Sequence, residues 1–565
     1  LSGALSNTLV QHANASDVVW DTTVDVVVAG SGAAGWSAAI GAILQGSSVL
    51  VLEKEARVGG TTAKAGGGLD DDRASAWFWI CNHPWLKELG ITDSKEDTIR
   101  YLARLARPEI YNPNDPTLGL PRDDYELLVT FYDRGAEAIS ALSDCGALPL
   151  RPLEHTLDYF ADLPENTTPR GRGLYFARED GTEGTGADII ESMKTAALEL
   201  GVSLSTSSPL HGLILDADGS VVGVSADDGA TGTTRIRARQ GVIMATGGFT
   251  RDVELMRSHL RGPIVGSLAS DGNSGDLVKI SRELGLDLAN MNEAWYAPLV
   301  LDHALNAVSA TFRLPGDSMI LVNRAGKRAV NEKTTYNEMT RAFFEWDSAA
   351  ASYSNLPLIM IYDESVSQRC RAMPSDAPVT EGGGNPLPRK AGDDHEIVAT
   401  TLAELAQKID SKLAQFDHVL PGAKLAPDFL ANLDATITRW NSMSAIGKDE
   451  DFARGETSTE RRRSGEPRHS DMPNPTMHAF SGEGPYYAVI LVPGTLDSRG
   501  GPRIDTHSRL LRSDGSVVQG LYGAGNCIAS PAGQAYWAGG TTLGLAATFG
   551  WVAGTHAATR DLDRS

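Results

Sequence analysis

The run Gly30-Ser31-Gly32-Ala33-Ala34-Gly35 constrains this chain more than any other segment. It stands directly behind a short apolar, β-branched stretch, residues 25–29 (DVVVA), which reads as a buried parallel strand. Behind it, residues 34–44 are small and apolar and read as a helix. Residues 48–52 (SVLVL) read as a second strand, ending at Glu53. Strand, glycine turn, helix and strand make one βαβ unit, the context in which GxGxxG carries meaning. The first glycine makes the turn, the second lets the backbone touch a pyrophosphate, and the third lets helix and strand pack closely. Ala33 and Ala34 open the helix, whose first N–H groups and positive dipole end suit phosphate. Glu53 stands 23 positions after Gly30. Its carboxylate is placed to accept hydrogen bonds from a ribose, and its charge disfavours a 2′-phosphate. This unit alone leaves NAD and FAD both open.

Further glycine-rich elements decide between them. Glu53-Lys54 runs into Gly59-Gly60-Thr61-Thr62 and then Gly66-Gly67-Gly68. Ala245-Thr246-Gly247-Gly248-Phe249 follows a third apolar strand at residues 241–245, and Ser274-Gly275-Asp276 comes next. Gly520-Leu521-Tyr522-Gly523-Ala524-Gly525-Asn526 closes the series, 490 positions after Gly30. The chain holds 59 glycines in 565 residues, an excess that marks close backbone approach to a ligand. An extended FAD needs contacts for adenosine, pyrophosphate, ribityl chain and ring along such a series. A nicotinamide domain has no need of a second glycine-rich element so far downstream.

Around these elements, residues 93–107, 125–142 and 185–199 read as helices. Residues 202–206, 213–217, 221–226 and 235–239 read as strands, with a hairpin turn at 216–220 (DADGS). From about residue 290 to 482 proline, charge and aromatics rise, and the glycine turns stop. The glycine-rich domain is therefore expected to be discontinuous, over 20–290 and 483–565, with a second domain over 291–482 and an N-terminal extension over 1–19. Residues 375–394 and 449–475, the latter with Arg461-Arg462-Arg463, read as long surface loops.

Taken together, these motifs resemble the FAD-dependent flavoprotein family of fumarate reductases and 3-ketosteroid dehydrogenases, over residues 24–557. The resemblance implies an α/β fold: a Rossmann-like FAD-binding domain interrupted by a smaller α+β catalytic or capping domain. It implies FAD held by Gly30, Gly32, Ala33, Ala34, Gly35, Glu53, Lys54, Gly60, Thr61, Thr62, Gly67, Gly68, Ala245, Thr246, Gly247, Asp276, Gly525, Asn526, Thr542 and Leu543. No histidine precedes Gly66-Gly67-Gly68 as it does in succinate dehydrogenases, so the flavin is expected to be non-covalent.

The branches of this family divide at the substrate site. Residues 322–336 match the stretch where fumarate reductases carry their catalytic arginine after a Thr-Thr pair; here Thr334-Thr335 is followed by Tyr336. A tyrosine cannot grip a carboxylate as an arginine fork does. Residues 493–501 (PGTLDSRGG) lack the histidines that grip dicarboxylates and look like the Gly-Gly segment of 3-ketosteroid Δ1-dehydrogenases. Tyr536-Trp537-Ala538-Gly539-Gly540-Thr541-Thr542-Leu543-Gly544 resembles the Δ1 pattern of a tyrosine and a glycine four residues on. Trp537 stands where a proline or small residue is common. Tyr159, in Leu157-Asp158-Tyr159-Phe160, matches the third tyrosine of that site loosely.

The resemblance thus implies desaturation of a hydrophobic, 3-ketosteroid-like cyclic ketone at the carbons α,β to its carbonyl. Tyr536 hydroxyl and Gly540 N–H stabilise the carbonyl oxygen, Tyr336 takes the α-proton, and Tyr159 relays it. The hydride goes to flavin N5. An ordinary tyrosine has a pKa of about 10, so a tyrosine base needs depression or a relay. The helix beginning near Thr541 would aim its N-terminus at the pyrimidine edge of the ring. The alternative is an enone or enoate reductase running the reverse reaction.

Other classes lose support. A formal net charge of −22 repels nucleic acid and anionic lipid. Cys81, Cys145, Cys370 and Cys527 show no metal, haem or iron–sulfur spacing, so no metal is expected and electrons leave to an external acceptor. Residues 26–52 and 515–559 are long and poor in charge, but glycine and small polar residues interrupt them, so they read as buried cofactor segments rather than membrane spans. The chain is expected in the cytoplasm, with peripheral membrane association and a removed targeting segment left open. Trp77-Phe78-Trp79 with Trp85 reads as core or as an apolar entrance.

Overall fold

A computed structural model describes residues 9–66, 75–154, 156–229, 232–305, 311–372, 395–463 and 472–560. The chain forms two units. The first takes the residues up to His259, Ala269–Ala294 and everything from Asp497 on; the second takes Leu260–Leu268 and Trp295–Leu496.

In the first unit, β1 (Val10–His12) and β2 (Thr22–Ala29) precede α1 (Ala33–Leu44) and β3 (Val49–Leu52). A small antiparallel sheet follows, built from β4 (Trp77–Trp79), β5 (Leu150–Pro152) and β6 (Gly173–Phe176), with β6 in the middle. Between its strands run α2 (Lys95–Ala106) and α3 (Arg122–Asp144). Ser94 caps α2 by accepting the Asp97 N–H. Next comes α4 (Gly186–Glu199), which starts at a reciprocal capping box between Thr185 and Asp188. Then come β7 (Ser203–Ser205), β8 (Leu210–Leu215), β9 (Val221–Asp227) and β10 (Thr233–Met244). After the second unit the chain returns with β11 (Val517–Gly523), and α6 (Thr541–Ala558) closes the unit.

The main sheet has the order β1-β8-β9-β10-β2-β3-β7, and β11 also pairs with β10. Residues 235–239 and 241–245, expected as two strands, form the single strand β10. A register shift between Ala238 and Gly241 lets that strand serve different partners along its length. Its first part pairs antiparallel with β9, and Val242–Met244 pair parallel with β11. On its other edge β10 runs parallel to β2, Met244 opposite Ala29, and β2 runs parallel to β3, Ala29 opposite Leu52. The carboxyl ends of β3, β2, β10 and β11 therefore lie in one row. That is the edge at which ligands bind in open parallel sheets.

α1 and α6 lack an amphipathic stripe, as helices buried on all sides do. They pack backbone to backbone. A Cβ on Gly550 would sit 2.3 Å from the Ala34 carbonyl oxygen, and one on Gly554 would sit 2.1 Å from that of Ala38. Among the described residues no helix is long and apolar enough to cross a membrane.

The second unit is built on a six-stranded sheet. Its long strand Tyr486–Ser498 pairs with Leu358–Asp363, Ile397–Ala399, Ala294–Val300 and Gly266–Ser267, and Met319–Val322 pairs with Leu358–Asp363. Met319, Leu321, Met339, Phe343, Met360, Val489 and Leu491 fill its core. A short helix, α5 (Tyr336–Arg341), belongs to this unit. Residues 375–394 lie outside the described residues. Of the 449–475 stretch, residues 449–463 are not the surface loop expected, because Asp449 and Arg454 are buried and Ser458–Arg463 is helical, while residues 464–471 lie outside the described residues.

The helix pairing in the first unit generates a test. Gly554→Val should cost about 3 kcal/mol or lower solubility outright, since the added methyls meet the backbone of α1. A melting temperature unchanged by this substitution, read by far-UV circular dichroism, would contradict the packing described.

Candidate functional site

Gly30 leaves β2 in the left-handed region, φ +107°, and a Cβ there would lie 2.2 Å from the Ala245 carbonyl oxygen. Gly35 is held by packing as well, 1.9 Å from the Gly30 oxygen. Gly32 differs. Its φ is −73°, and a Cβ there would meet nothing nearer than Thr62 Oγ1 at 3.4 Å. Neither backbone conformation nor internal packing demands glycine at that position, whereas a phosphate brought against the helix start does. Gly60 is comparably open, with nothing within 4 Å of its would-be Cβ.

Side chains brace this loop. Ala33 N–H donates to Thr62 Oγ1 at 3.1 Å, and Gly59 N–H donates to Ser31 Oγ at 2.9 Å. Glu53 is buried, and its Oε2 accepts from the Ser31 N–H at 3.2 Å and the Ser31 hydroxyl at 2.5 Å. Glu53 Oε1 accepts from the Glu55 N–H. Oε1 keeps a lone pair beyond its one bond, so Glu53 can hold the loop and meet a ribose. Lys54 forms an ion pair with Asp276 at 2.8 Å and donates to Ser274 Oγ. Thr61 Oγ1 accepts from the Ser270 N–H and from Asn273 Nδ2, both at 3.1 Å.

The turns after β10 and β11 join the same edge. Ala245 N–H donates to the Ala29 oxygen, and Ala524 N–H to that of Met244. Gly247 and Gly525 are both left-handed, with φ +70° and +76°. Asn526 donates to Asp497. Sequence reading gave Asp497 no role, yet this buried carboxylate accepts from three separate loops. Gly67 and Gly68 lie outside the described residues.

α6 begins at Gly540, φ +93°, whose Cβ would lie 2.7 Å from the Trp77 oxygen and the Phe78 carbon of β4. Among the described residues no group accepts the Gly540 N–H, and the buried Thr542 Oγ1 in the first helical turn has no hydrogen-bond partner. Orphaned donors at a helix start are the feature expected beside an electron-rich ring edge or a developing oxyanion. The glycine-rich turns, the open Gly32 and these donors fit an extended dinucleotide such as FAD.

Tyr536, Tyr159 and Gly540 are brought together in the first unit. The Tyr159 and Tyr536 rings meet edge to face, with centroids 5.7 Å apart. A Cβ on Gly539 would lie 3.4 Å from the Tyr159 hydroxyl and 2.9 Å from the Trp77 ring. Tyr159 N–H donates to the Trp537 oxygen at 2.9 Å, which also accepts from Tyr101 at 3.3 Å. Trp537 is fully buried, stacked on Trp79 and Phe131. Phe78 and Trp79 are core, while Trp77 and Trp85 are half-buried.

A buried ion cluster anchors the Asp158–Tyr159 turn. Arg172 donates through Nε and Nη2 to Asp93 at 2.9 and 2.8 Å, and its Nη1 and N–H reach Asp158. Trp79 Nε1 donates to Asp158 at 2.7 Å. Burial pushes the Asp93 carboxyl up, but the Arg172 charge and hydrogen bonds outweigh it and hold the group below its ordinary range. Nothing in the sequence signals this cluster, because Asp93 and Arg172 are 79 positions apart.

Tyr336 opens α5 in the second unit, buried and edge to face with Phe312, with centroids 5.0 Å apart. The turn before it is fastened by charge. Lys333, buried, donates to the Leu314 and Gly316 oxygens, and burial pushes its pKa far down. Glu332 pairs with Arg328 and Arg454, and Arg328 also pairs with Asp449 at 2.8 Å. The Trp440 ring faces both guanidiniums, at 4.8 and 4.6 Å.

The four cysteines are free thiols, and no cluster of metal-ligating side chains occurs among the described residues. The family model described as FAD binding domain matches residues 25–543. The 3-oxosteroid 1-dehydrogenase of Mycolicibacterium smegmatis is 30% identical over 94% of this chain and 96% of that protein. The 4-oxocyclohexanecarboxylate 2-dehydrogenase of Sinomonas cyclohexanicum is 29% identical, over 94% and 92%. The crystal structure of 3-ketosteroid Δ1-dehydrogenase from Sterolibacterium denitrificans, in complex with 1,4-androstadiene-3,17-dione, superposes with a TM-score of 0.76. It is 25% identical, over 95% of this chain and 99% of that one.

The anchor before Tyr336 has a pH signature. Burial pushes the Asp449 carboxyl up, but Arg328 and backbone N–H groups hold it down at about 2. Its stabilisation is full above the unfolded value near 3.9 and is lost as pH falls through about 2. Asp449→Asn should therefore cost about 2 kcal/mol at pH 6, and the gap in melting temperature from the parent should close between pH 4 and pH 2. A gap independent of pH would refute this account.

Proposed function

The chain belongs to the FAD binding domain family, among the fumarate reductase and 3-ketosteroid dehydrogenase flavoproteins, and is an FAD-dependent oxidoreductase; we propose that it is a dehydrogenase acting on CH–CH groups that desaturates a 3-ketosteroid-like cyclic ketone at the carbons α,β to its carbonyl. The two relatives named above act, by name, on a 3-oxosteroid and on an oxocyclohexane carboxylate, so both substrates carry a ring ketone. The observation that carries the reading is the start of α6. There a left-handed Gly540, whose N–H no group among the described residues accepts, stands four residues after a buried tyrosine, Tyr536, whose ring meets Tyr159.

Removing an α-proton from a ketone requires the carbonyl oxygen to be stabilised as charge builds on it. The Tyr536 hydroxyl and the Gly540 N–H are the donors for that oxygen. Tyr336 takes the α-proton, and Tyr159 assists its onward transfer. FAD, when bound, supplies the acceptor for the β-hydride. In this reading the turns after β2, β3, β10 and β11, with Thr542 and Leu543, would hold it without a covalent bond, and an external acceptor would take up the reducing equivalents. The Ser31–Glu53 and Thr62–Ala33 bonds keep the loop ready for the pyrophosphate.

Anaerobic mixing of oxidised holoprotein with 3-ketosteroids and smaller cyclic ketones should bleach the visible flavin band. Bleaching by the smaller ketones alone would keep the chemistry and discard the steroid. No bleaching, with dithionite-reduced protein instead reoxidised by an enone or enoate, would overturn the dehydrogenase direction. Tyr336→Phe should lower turnover by roughly 10²–10⁴ with flavin content unchanged. Parent-level turnover in that variant would remove Tyr336 from the mechanism.

A further inference from the structure

We propose that Asp497 is a positioning residue for the cofactor, its one buried carboxylate tying four cofactor-facing segments of the first unit into a single cradle. The inference rests on the reading that those segments hold FAD. Asp497 is 1% exposed and stands where the chain re-enters the first unit. Its Oδ2 accepts from the Gly248 N–H at 3.0 Å, from Asn273 Nδ2 at 2.6 Å and from Asn526 Nδ2 at 3.1 Å. Its Oδ1 accepts from the Ser498 N–H at 2.8 Å and the Thr250 hydroxyl at 3.2 Å. Asn273 also donates to Thr61 Oγ1, which extends the network to the Gly60-Thr61-Thr62 segment. Four stretches of sequence, at residues 61, 248–250, 273 and 526, thereby depend on one side chain.

Glycine conservation of space follows from the same group. A Cβ on Gly248 would lie 2.3 Å from Asp497 Oδ1, and one on the left-handed Gly247 would lie 2.6 Å from Asn273 Nδ2. The Thr246-Gly247-Gly248 turn is thus shaped by the network as much as by its own backbone. None of the hydrogen-bond partners named is charged. Burial pushes the carboxyl up to about 6, with the Gly248, Asn526, Ser498 and Asn273 donors acting against it. A lone buried anion is costly unless donors surround it. What it provides here is acceptor capacity: a carboxylate accepts at both oxygens, whereas an amide accepts at one.

Asp497→Asn tests this by FAD titration of the apoprotein, followed by flavin fluorescence. Whichever oxygen becomes Nδ2, two or three donors lose their acceptor, so the FAD Kd should rise by roughly 30-fold or more. The apoprotein should melt within a few degrees of parent apoprotein. Asn273→Ala and Asn526→Ala should each weaken FAD binding in the parent but add little in the Asp497→Asn background, because they act through the same carboxylate. Parent affinity in Asp497→Asn, or full additivity of the amide variants, would overturn the proposal. If Asp497→Asn does not fold, the two amide variants decide it: unchanged FAD affinity in both overturns it. Gly32→Val separates the two levels of the argument. If it binds FAD like the parent, the reading of the cradle fails; if it loses FAD while Asp497→Asn does not, only the role of Asp497 fails.

Discussion

Two parallel pairings onto one strand decide where the chemistry of the first unit can sit. β10 meets β2 on one edge and β11 on the other, with Met244 level with both Ala29 and Gly523. Strands at the beginning, middle and end of the chain therefore finish in one row, and the glycine turns that follow them face one edge. The pairing is possible because β10 changes register between Ala238 and Gly241, which frees its last three residues from β9. α1 and α6 pack on this arrangement through Gly550 and Gly554, so the first and last helices of the unit approach as closely as their backbones permit.

Around that frame the molecule spends buried charge rather than extra apolar area to fix its tyrosine-bearing turns. Arg172 with Asp93 and Asp158 ties the turn that carries Tyr159; Arg328, Arg454, Glu332 and Asp449 fasten the segment just before Tyr336. Burying ions is unfavourable and wins little net stability even when they are paired. What a guanidinium fork adds is direction. Its bonds to a carboxylate are bidentate and tolerate little rotation, so a loop tied this way has one conformation. The same logic applies to Asp497, where the donors are neutral and come from three loops besides the neighbouring Ser498 N–H.

Much of the first unit was legible because its local signals are short range. A β-branched strand, a glycine turn and a small-residue helix fall within residues 22–44, and helices α2 and α4 announce themselves through Ser94 and Thr185. Gly30, Gly247, Gly525 and Gly540 each occupy a left-handed position, so their identity reports a backbone requirement that sequence displays directly. The unread parts are contacts between distant residues. Asp93 and Arg172, or Asn273 and Asp497, carry no mark of their pairing until the chain is folded. The stretch from 449 was misread as a surface loop for the same reason: Asp449 and Arg454 look solvated until Arg328, Glu332 and Trp440 are placed beside them.

Trp537 shows how a departure from a family pattern can be a matter of packing rather than of chemistry. Its ring lies in the core against both Trp79 and Phe131, and its carbonyl receives the Tyr159 N–H and the Tyr101 hydroxyl. A small residue at 537 would keep the carbonyl but leave a void beside Trp79, whose indole N–H holds Asp158. The large side chain and the buried ion cluster thus support each other, and both support the backbone of Tyr159. The neighbouring features that bear on a carbonyl oxygen, the Tyr536 ring against Tyr159 and the left-handed Gly540, are untouched by the size of residue 537. They depend instead on β4, whose Trp77 and Phe78 backbone leaves no room for a Cβ at 540.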